Sequence, residues 1–130
     1  MLLDTNVLIW YGRRQKQLSS RAVKLVREAE NFYSHVSVWE LAIKSSIGKI
    51  ELLTASGQRT SARSFLLKVV HDLQLRPLPI EFDDLAEVET LPRHYGDPFD
   101  RLLIVQAMRR NLPIISSDEQ FDDYPVKRVW

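Results

Sequence analysis

The chain has 130 residues, 45% hydrophobic and 27% charged, with 18 basic against 17 acidic side chains and a formal net charge of +1. That length holds one ordinary domain with a real core, and the composition excludes a disordered polymer. The absence of cysteine excludes disulfides and thiolate metal centres, and the near-zero charge leaves any nucleic-acid contact to a local basic surface.

In chain order, "MLLD" predicts a short buried strand and "VLIWYG" a helix ending near Gly12. "SSRAVKLVREAEN" places Ala22, Val23, Leu25, Val26 and Ala29 on one helical face, and "FYSHV" reads as a second strand. "SVWELAIKSSIGKI" predicts a helix opened by a Ser37/Glu40 capping box and closed at Gly48. The small, polar "TASGQRTS" is a loop before the helix "ARSFLLKVVHDLQL". "RPLPI" reads as a connection or short edge strand, and "EFDDLAEVETL" as an amphipathic helix. "HYGDPFDRLLIVQAMRRN" starts a helix at its Asp-Pro pair, "LPIISSD" is a buried strand breaking into a polar turn, and "VKRVW" is the last strand. Short apolar strands alternating with helices, undivided by repeats or linkers, predict one α/β domain over residues 1–130 with a mostly parallel sheet. The apolar runs are too short for a bilayer and no basic n-region precedes them, so a soluble, cytoplasmic protein without membrane association is expected.

The acids fall where such a fold collects them. Asp4 follows the first strand, and Glu40 lies in the first turn of the helix after the second. Asp100 lies in the first turn of a helix with Asp97 one turn before it, and Asp118 follows "LPIIS". The carboxyl ends of parallel strands and the helix N-termini after them line one edge, where ligands bind. Each acid alone has a structural explanation: Asp4, Asp97 and Asp118 as N-caps, Glu40 as half of a capping box. Together, at one edge, they would repel one another and resist desolvation unless a cation joined them. Oxygen ligands without cysteine or clustered histidine suit Mg²⁺ or Mn²⁺, and such a site suits metal-assisted phosphodiester hydrolysis.

The segments "LLDTNVLIW", "SVWELAIKSSIGKI", "HYGDPFDRLLIVQA" and "LPIISSDEQF" resemble, in order and spacing, the signature segments of PIN-domain proteins, nearest to the VapC-like toxins of type II toxin–antitoxin systems. The resemblance covers nearly the whole chain. It implies a three-layer α/β/α sandwich and an Mg²⁺- or Mn²⁺-dependent endoribonuclease that leaves 5′-phosphate and 3′-hydroxyl ends. Its acidic quartet falls on Asp4, Glu40, Asp100 and Asp118, with Asp97 an additional acid at the rim or a helix cap. Asn6 and Ser116 match small polar positions that orient the carboxylates. The Tyr95–Gly96 pair stands where this subgroup often carries a basic residue. A small cognate antitoxin and a homodimer are the implied partners, with RNA the substrate.

On this reading Asp4 and Asp100 contact the metal, Glu40 and Asp118 complete its shell, and Glu40 or Asp118 takes the proton of the attacking water. Arg13, Arg14 and Arg101 are the candidate RNA contacts. Lys44, four residues after Glu40, either pairs with it in solvent or reaches a phosphate, the pair being preferred. His35, His71 and His94 are scattered, and Trp10 and Trp39 read as packing residues. A PIN-domain nuclease of RNA processing, without an antitoxin, is the alternative within the family. A dehalogenase-like phosphatase needs a second Asp where Asn6 stands, and a receiver-like signalling module needs a lysine after a late strand where "LPIISSD" has none.

Overall fold

The computed structural model describes residues 1–13, 16–54, 56–94 and 96–130. Its strands are short, and each ends where a polar residue starts a helix or turn. They are β1 (Leu2–Leu3), β2 (Phe32–Ser34), β3 (Arg76–Leu78), β4 (Ile114–Ile115) and β5 (Arg128–Val129). Every pairing is parallel, in the order β3-β2-β1-β4-β5. β1 is therefore central. The chain moves outward from it to β2 and β3, then returns to β4 on its other side. The β1/β4 junction is a topological switch point, the place where open parallel sheets bind ligands.

Between the strands run α1 (Thr5–Gly12), α2 (Ser20–Glu28), α3 (His35–Ser46), α4 (Ala62–Leu73), α5 (Phe82–Glu87) and α6 (Pro98–Arg109), followed by a 3₁₀ turn, Glu119–Asp123. Strand alternation sorts them into layers. Leu3 and Ile115 point into one core with Val7 and Leu8 of α1, Val26 of α2 and Phe65 of α4. Leu2 and Ile114 point into the other, with Leu103 and Ile104 of α6 and Phe121. The result is the expected α/β/α sandwich. α3 serves both sides, giving Val36 to one core and Leu41 to the other.

Two elements depart from the sequence expectation. The strand "FYSHV" stops at Ser34, whose Oγ accepts the Val36 N–H at 2.9 Å and caps α3. Ser37 is thus already inside the helix, its Oγ accepting a buried hydrogen bond from Thr5 Oγ1 at 2.9 Å. The Ser37/Glu40 capping box does not form, and Glu40 stands in the second turn of α3. The second departure is α5, which spans six residues and is inverted: Phe82 and Leu85 are exposed while Asp84 is buried. A charged partner on α6 explains it, because Arg109 Nε and Arg110 Nη1 hold Asp84 at 3.0 and 2.8 Å. No helix among the described residues is long and apolar enough to cross a membrane.

Candidate active site at the sheet edge

Asp4 is the first residue past β1, and its backbone N–H still bonds Ile115 O of β4 at 3.1 Å. The carboxylate is therefore fixed by sheet pairing before its side chain makes any contact. Oδ1 caps α1 by accepting the Asn6 N–H at 3.4 Å, and Oδ2 accepts from Ser116 Oγ at 2.7 Å. Only 2% of Asp4 is exposed. Burial raises its pKa to about 6, opposed by the Ser116 and Asn6 hydrogen bonds and assisted by the negative fields of Glu40 and Asp118.

Ser116 is the hinge between two acids. It is fully buried after β4, donates to Asp4 and accepts the Asp118 N–H at 3.0 Å. Asn6 acts differently from expectation: its backbone N–H, not its exposed side chain, touches Asp4. Asp118 caps the 3₁₀ turn by accepting from Gln120 N at 2.9 Å.

α3 brings Glu40, 4% exposed, to the same edge. Lys44 Nζ pairs with Glu40 Oε1 one turn along the helix, while Glu40 Oε2 is buried with no hydrogen-bond partner among the described residues. Burial lowers the Lys44 pKa, but its bond to Glu40 and the fields of Glu40, Asp97 and Asp100 outweigh this and hold it above the usual lysine value. Those last two acids open α6. Asp97 Oδ1 accepts the Phe99 and Asp100 N–H groups at 2.8 and 3.3 Å, with Pro98 at the first helical position. The Trp39 ring, half exposed, meets Phe99 edge-on at 5.0 Å and ties α3 to α6 beside the acids.

The five predicted acids thus share one edge, and the two readings of them, cap and site, are compatible. Asp4, Asp97 and Asp118 each turn Oδ1 to a local backbone amide. The arrangement is not a ready coordination sphere: among the described residues no three His, Cys, Asp or Glu side chains stand close enough to hold one ion. The physical reason is visible in the same contacts, since the caps aim carboxylates at their own helices and Lys44 neutralises Glu40. The donor set nevertheless fits a hard divalent ion, being all oxygen, with a buried Glu40 oxygen lacking any donor.

Two of the arginines predicted to touch RNA, Arg101 and Arg13, make their bonds elsewhere. Arg101 is buried, and its guanidinium donates to the carbonyls of Val88, Leu91 and Pro92 at 3.0, 2.9 and 2.8 Å. It fastens the segment before α6, its planar, multidentate guanidinium giving three of that segment's carbonyls a donor. Arg13 follows the far end of α1, roughly 13 Å along the helix from Asp4 at 1.5 Å per residue, and its Nη2 donates to Glu51 O. Arg14 lies outside the described residues. The sequence reading passed over Thr5 and Gln106. The latter accepts from Ser34 Oγ and donates to Pro79 O and Asp84 Oδ2 at 3.0 and 3.1 Å, binding the α3 cap to α6. A glutamine inside the apolar run "LLIVQA" was the available signal. A groove of about 480 Å³ lies elsewhere, lined by Trp10, Leu18, Val23, Phe65 and Val69, and contains none of the acids.

An open parallel sheet with a buried carboxylate at its switch point, and further acids from α3 and α6, defines a class: an α/β/α protein with an acidic site at its carboxyl edge. The chain belongs to the PIN domain family, whose model matches residues 1–127. No curated protein matches the sequence. Among solved structures it is similar to VapBC2 from Rickettsia felis bound to a promoter DNA fragment, at 13% identity and a TM-score of 0.66, covering 98% of this chain and 96% of that one. It is also similar to FitAcB from Neisseria gonorrhoeae (19%, 0.63, covering 99% and 96%). A third is VapBC-5 from Mycobacterium tuberculosis, of the VapBC family of toxin–antitoxin systems (19%, 0.58, covering 98% and 97%). At these identities the likeness establishes the fold.

Proposed function

We propose that this chain is an Mg²⁺- or Mn²⁺-dependent endoribonuclease and the toxin half of a type II toxin–antitoxin pair. The observation that carries the nuclease reading is Asp4: a carboxylate buried at the central strand end, facing Glu40 and Asp118, with a Glu40 oxygen left without a donor. Buried, mutually repelling carboxylates are costly unless a cation joins them. Asp4, Glu40, Asp100 and Asp118 would hold the ion, with Asp97 at the rim. Bound there, a hard divalent ion supplies Lewis-acid activation of a phosphodiester and of water.

The chain's own groups do the rest. Ser116 keeps Asp4 and Asp118 in register, and the Asp4 N–H···Ile115 O bond fixes their backbones. Glu40 or Asp118 accepts the proton of the attacking water, so no protein nucleophile is needed. The toxin reading is supported by the toxin–antitoxin system to which the VapBC-5 neighbour belongs. A small antitoxin with a basic side chain could neutralise the same carboxylates, and a homodimer completes the proposed assembly.

The test is cleavage of structured RNA with Mg²⁺ by the wild type, Asp4→Asn and Asp100→Asn. Loss of a ligand carboxylate should lower the rate by at least ~100-fold, a few kcal/mol of transition-state stabilisation. Undiminished cleavage by either variant overturns the assignment. Induced expression separates toxin from processing nuclease: growth arrest by the wild type and none by Asp4→Asn is the toxin outcome.

A further inference from the structure

The cation already present at the acidic edge is a side chain. Lys44 lies one turn beyond Glu40 on α3, pairs with Glu40 Oε1, and is only partly exposed, while the Glu40 side chain is 6% exposed. The negative fields of Asp97 and Asp100, at the start of α6, also act on it. The second Glu40 oxygen, Oε2, is buried and unpartnered. An ordinary surface pair on a helix leaves both carboxylate oxygens to solvent, so this one differs in kind. The ammonium thus bonds one acid of α3 and lies in the negative field of two more at the start of α6.

We infer that Lys44 is a resident counter-cation of the acidic site, which a divalent ion must displace from Glu40 before it can be held there. Two consequences follow from charge interactions at short range in a partly buried cleft, attraction to Glu40 and repulsion of a second cation. Lys44 stabilises the protein without metal by neutralising Glu40. It also weakens metal binding, because the incoming ion exchanges with a tethered ammonium and does not enter a bare anionic site. Lys44 is thereby a positioning residue that sets the metal concentration at which the site loads. This inference rests on the metal-dependent reading above.

The experiment is calorimetric titration of the full chain with Mn²⁺ alone, without RNA, comparing wild type, Lys44→Met and Lys44→Gln, together with thermal unfolding in chelator. Lys44→Met should bind Mn²⁺ more tightly, on the order of tenfold, and melt at a lower temperature in chelator. Lys44→Gln should do the same if the methionine variant is poorly folded. Lys44→Arg, which keeps the charge, should stay near wild type in both measurements. Unchanged or weaker Mn²⁺ binding by the neutral variants, while the wild type binds normally, overturns the inference and leaves the nuclease reading standing. No Mn²⁺ binding by any form, wild type included, overturns both.

Discussion

Asp4 concentrates the cost and the use of the site in one side chain. Its pKa of about 6 stands above the ordinary value of 3.8, chiefly because burial disfavours the charged form. The folded protein therefore holds this proton more tightly than the unfolded chain between those values. Stability from this group is greatest below about pH 4 and falls as pH climbs through 6, by on the order of 3 kcal/mol in full. Asp4→Asn removes the charge and leaves an acceptor for Ser116 or Asn6. Without metal, it should be more stable than wild type at pH 8, by roughly 1–3 kcal/mol, and lose that advantage near pH 4. Urea unfolding at the two pH values checks this. Equal stability at pH 8 would show that the burial cost is met some other way. Arg101 illustrates the opposite economy: a charge beside the edge acids in sequence that donates to the carbonyls of Val88, Leu91 and Pro92.

At the level of elements, the site depends on holding α3 against α6. Trp39 on Phe99 provides an apolar clasp, and a polar chain runs from Ser34 through Gln106 to Asp84 and the Arg109–Arg110 pair. Asp84 is fully buried. Burial pushes its pKa up, but Arg110, the Glu81 N–H and the Gln106 amide outweigh that and hold it below the usual carboxylate value. Its stabilisation is present at neutral pH and is lost as pH falls through that depressed value. Asp84→Ala removes the acceptor shared by Arg109, Arg110 and the Gln106 amide, which keep Asp83 and Glu87, Glu81, and Pro79 O as remaining partners, so it should destabilise by ~1–3 kcal/mol, the cost of hydrogen bonds lost at a buried polar centre. The measurement is equilibrium denaturation at pH 7. A loss under 1 kcal/mol would mean that the arginines swing to solvent at little cost.

For the whole molecule, the edge is a charge-balance problem with two solutions, one internal and one external. Lys44 is the internal one, and on the proposed function a divalent ion is the external one. If Mg²⁺ binds only the assembled edge, as proposed, a hundredfold excess over its dissociation constant should stabilise the fold by about 2.7 kcal/mol. Thermal unfolding should therefore shift upward with Mg²⁺ and return on chelation, with the shift lost in Asp100→Asn. A shift of the same size in that variant would place the ion elsewhere. Asp4→Asn, stabilised without metal and unresponsive to it, would separate the electrostatic cost of the site from its ligand function.

The sequence by itself determined the strand–helix alternation, the parallel sheet and the positions of Asp4, Asp97 and Asp118 as the residues that end strands or open helices. Those features are local. A run such as "LPIISSD" specifies strand, turn and cap within seven residues, because backbone hydrogen bonding and the polar stop act over that range. Other outcomes were decided only in three dimensions. Ser34 took the cap expected of Ser37 because Thr5, thirty-two residues away, pairs with Ser37. α5 turned its apolar face outward because Arg109 and Arg110 of α6 hold Asp84. Arg101, a candidate RNA contact in the sequence, became a backbone fastener, and Lys44, expected to pair with Glu40 in solvent, pairs with a Glu40 side chain that is itself buried. Partner choice for a charged or polar side chain is a competition among groups distant along the chain, and burial sets its stakes. Hydrophobic period and capping are visible one window at a time, but the winner of that competition exists only once the sheet has brought the competitors to one edge.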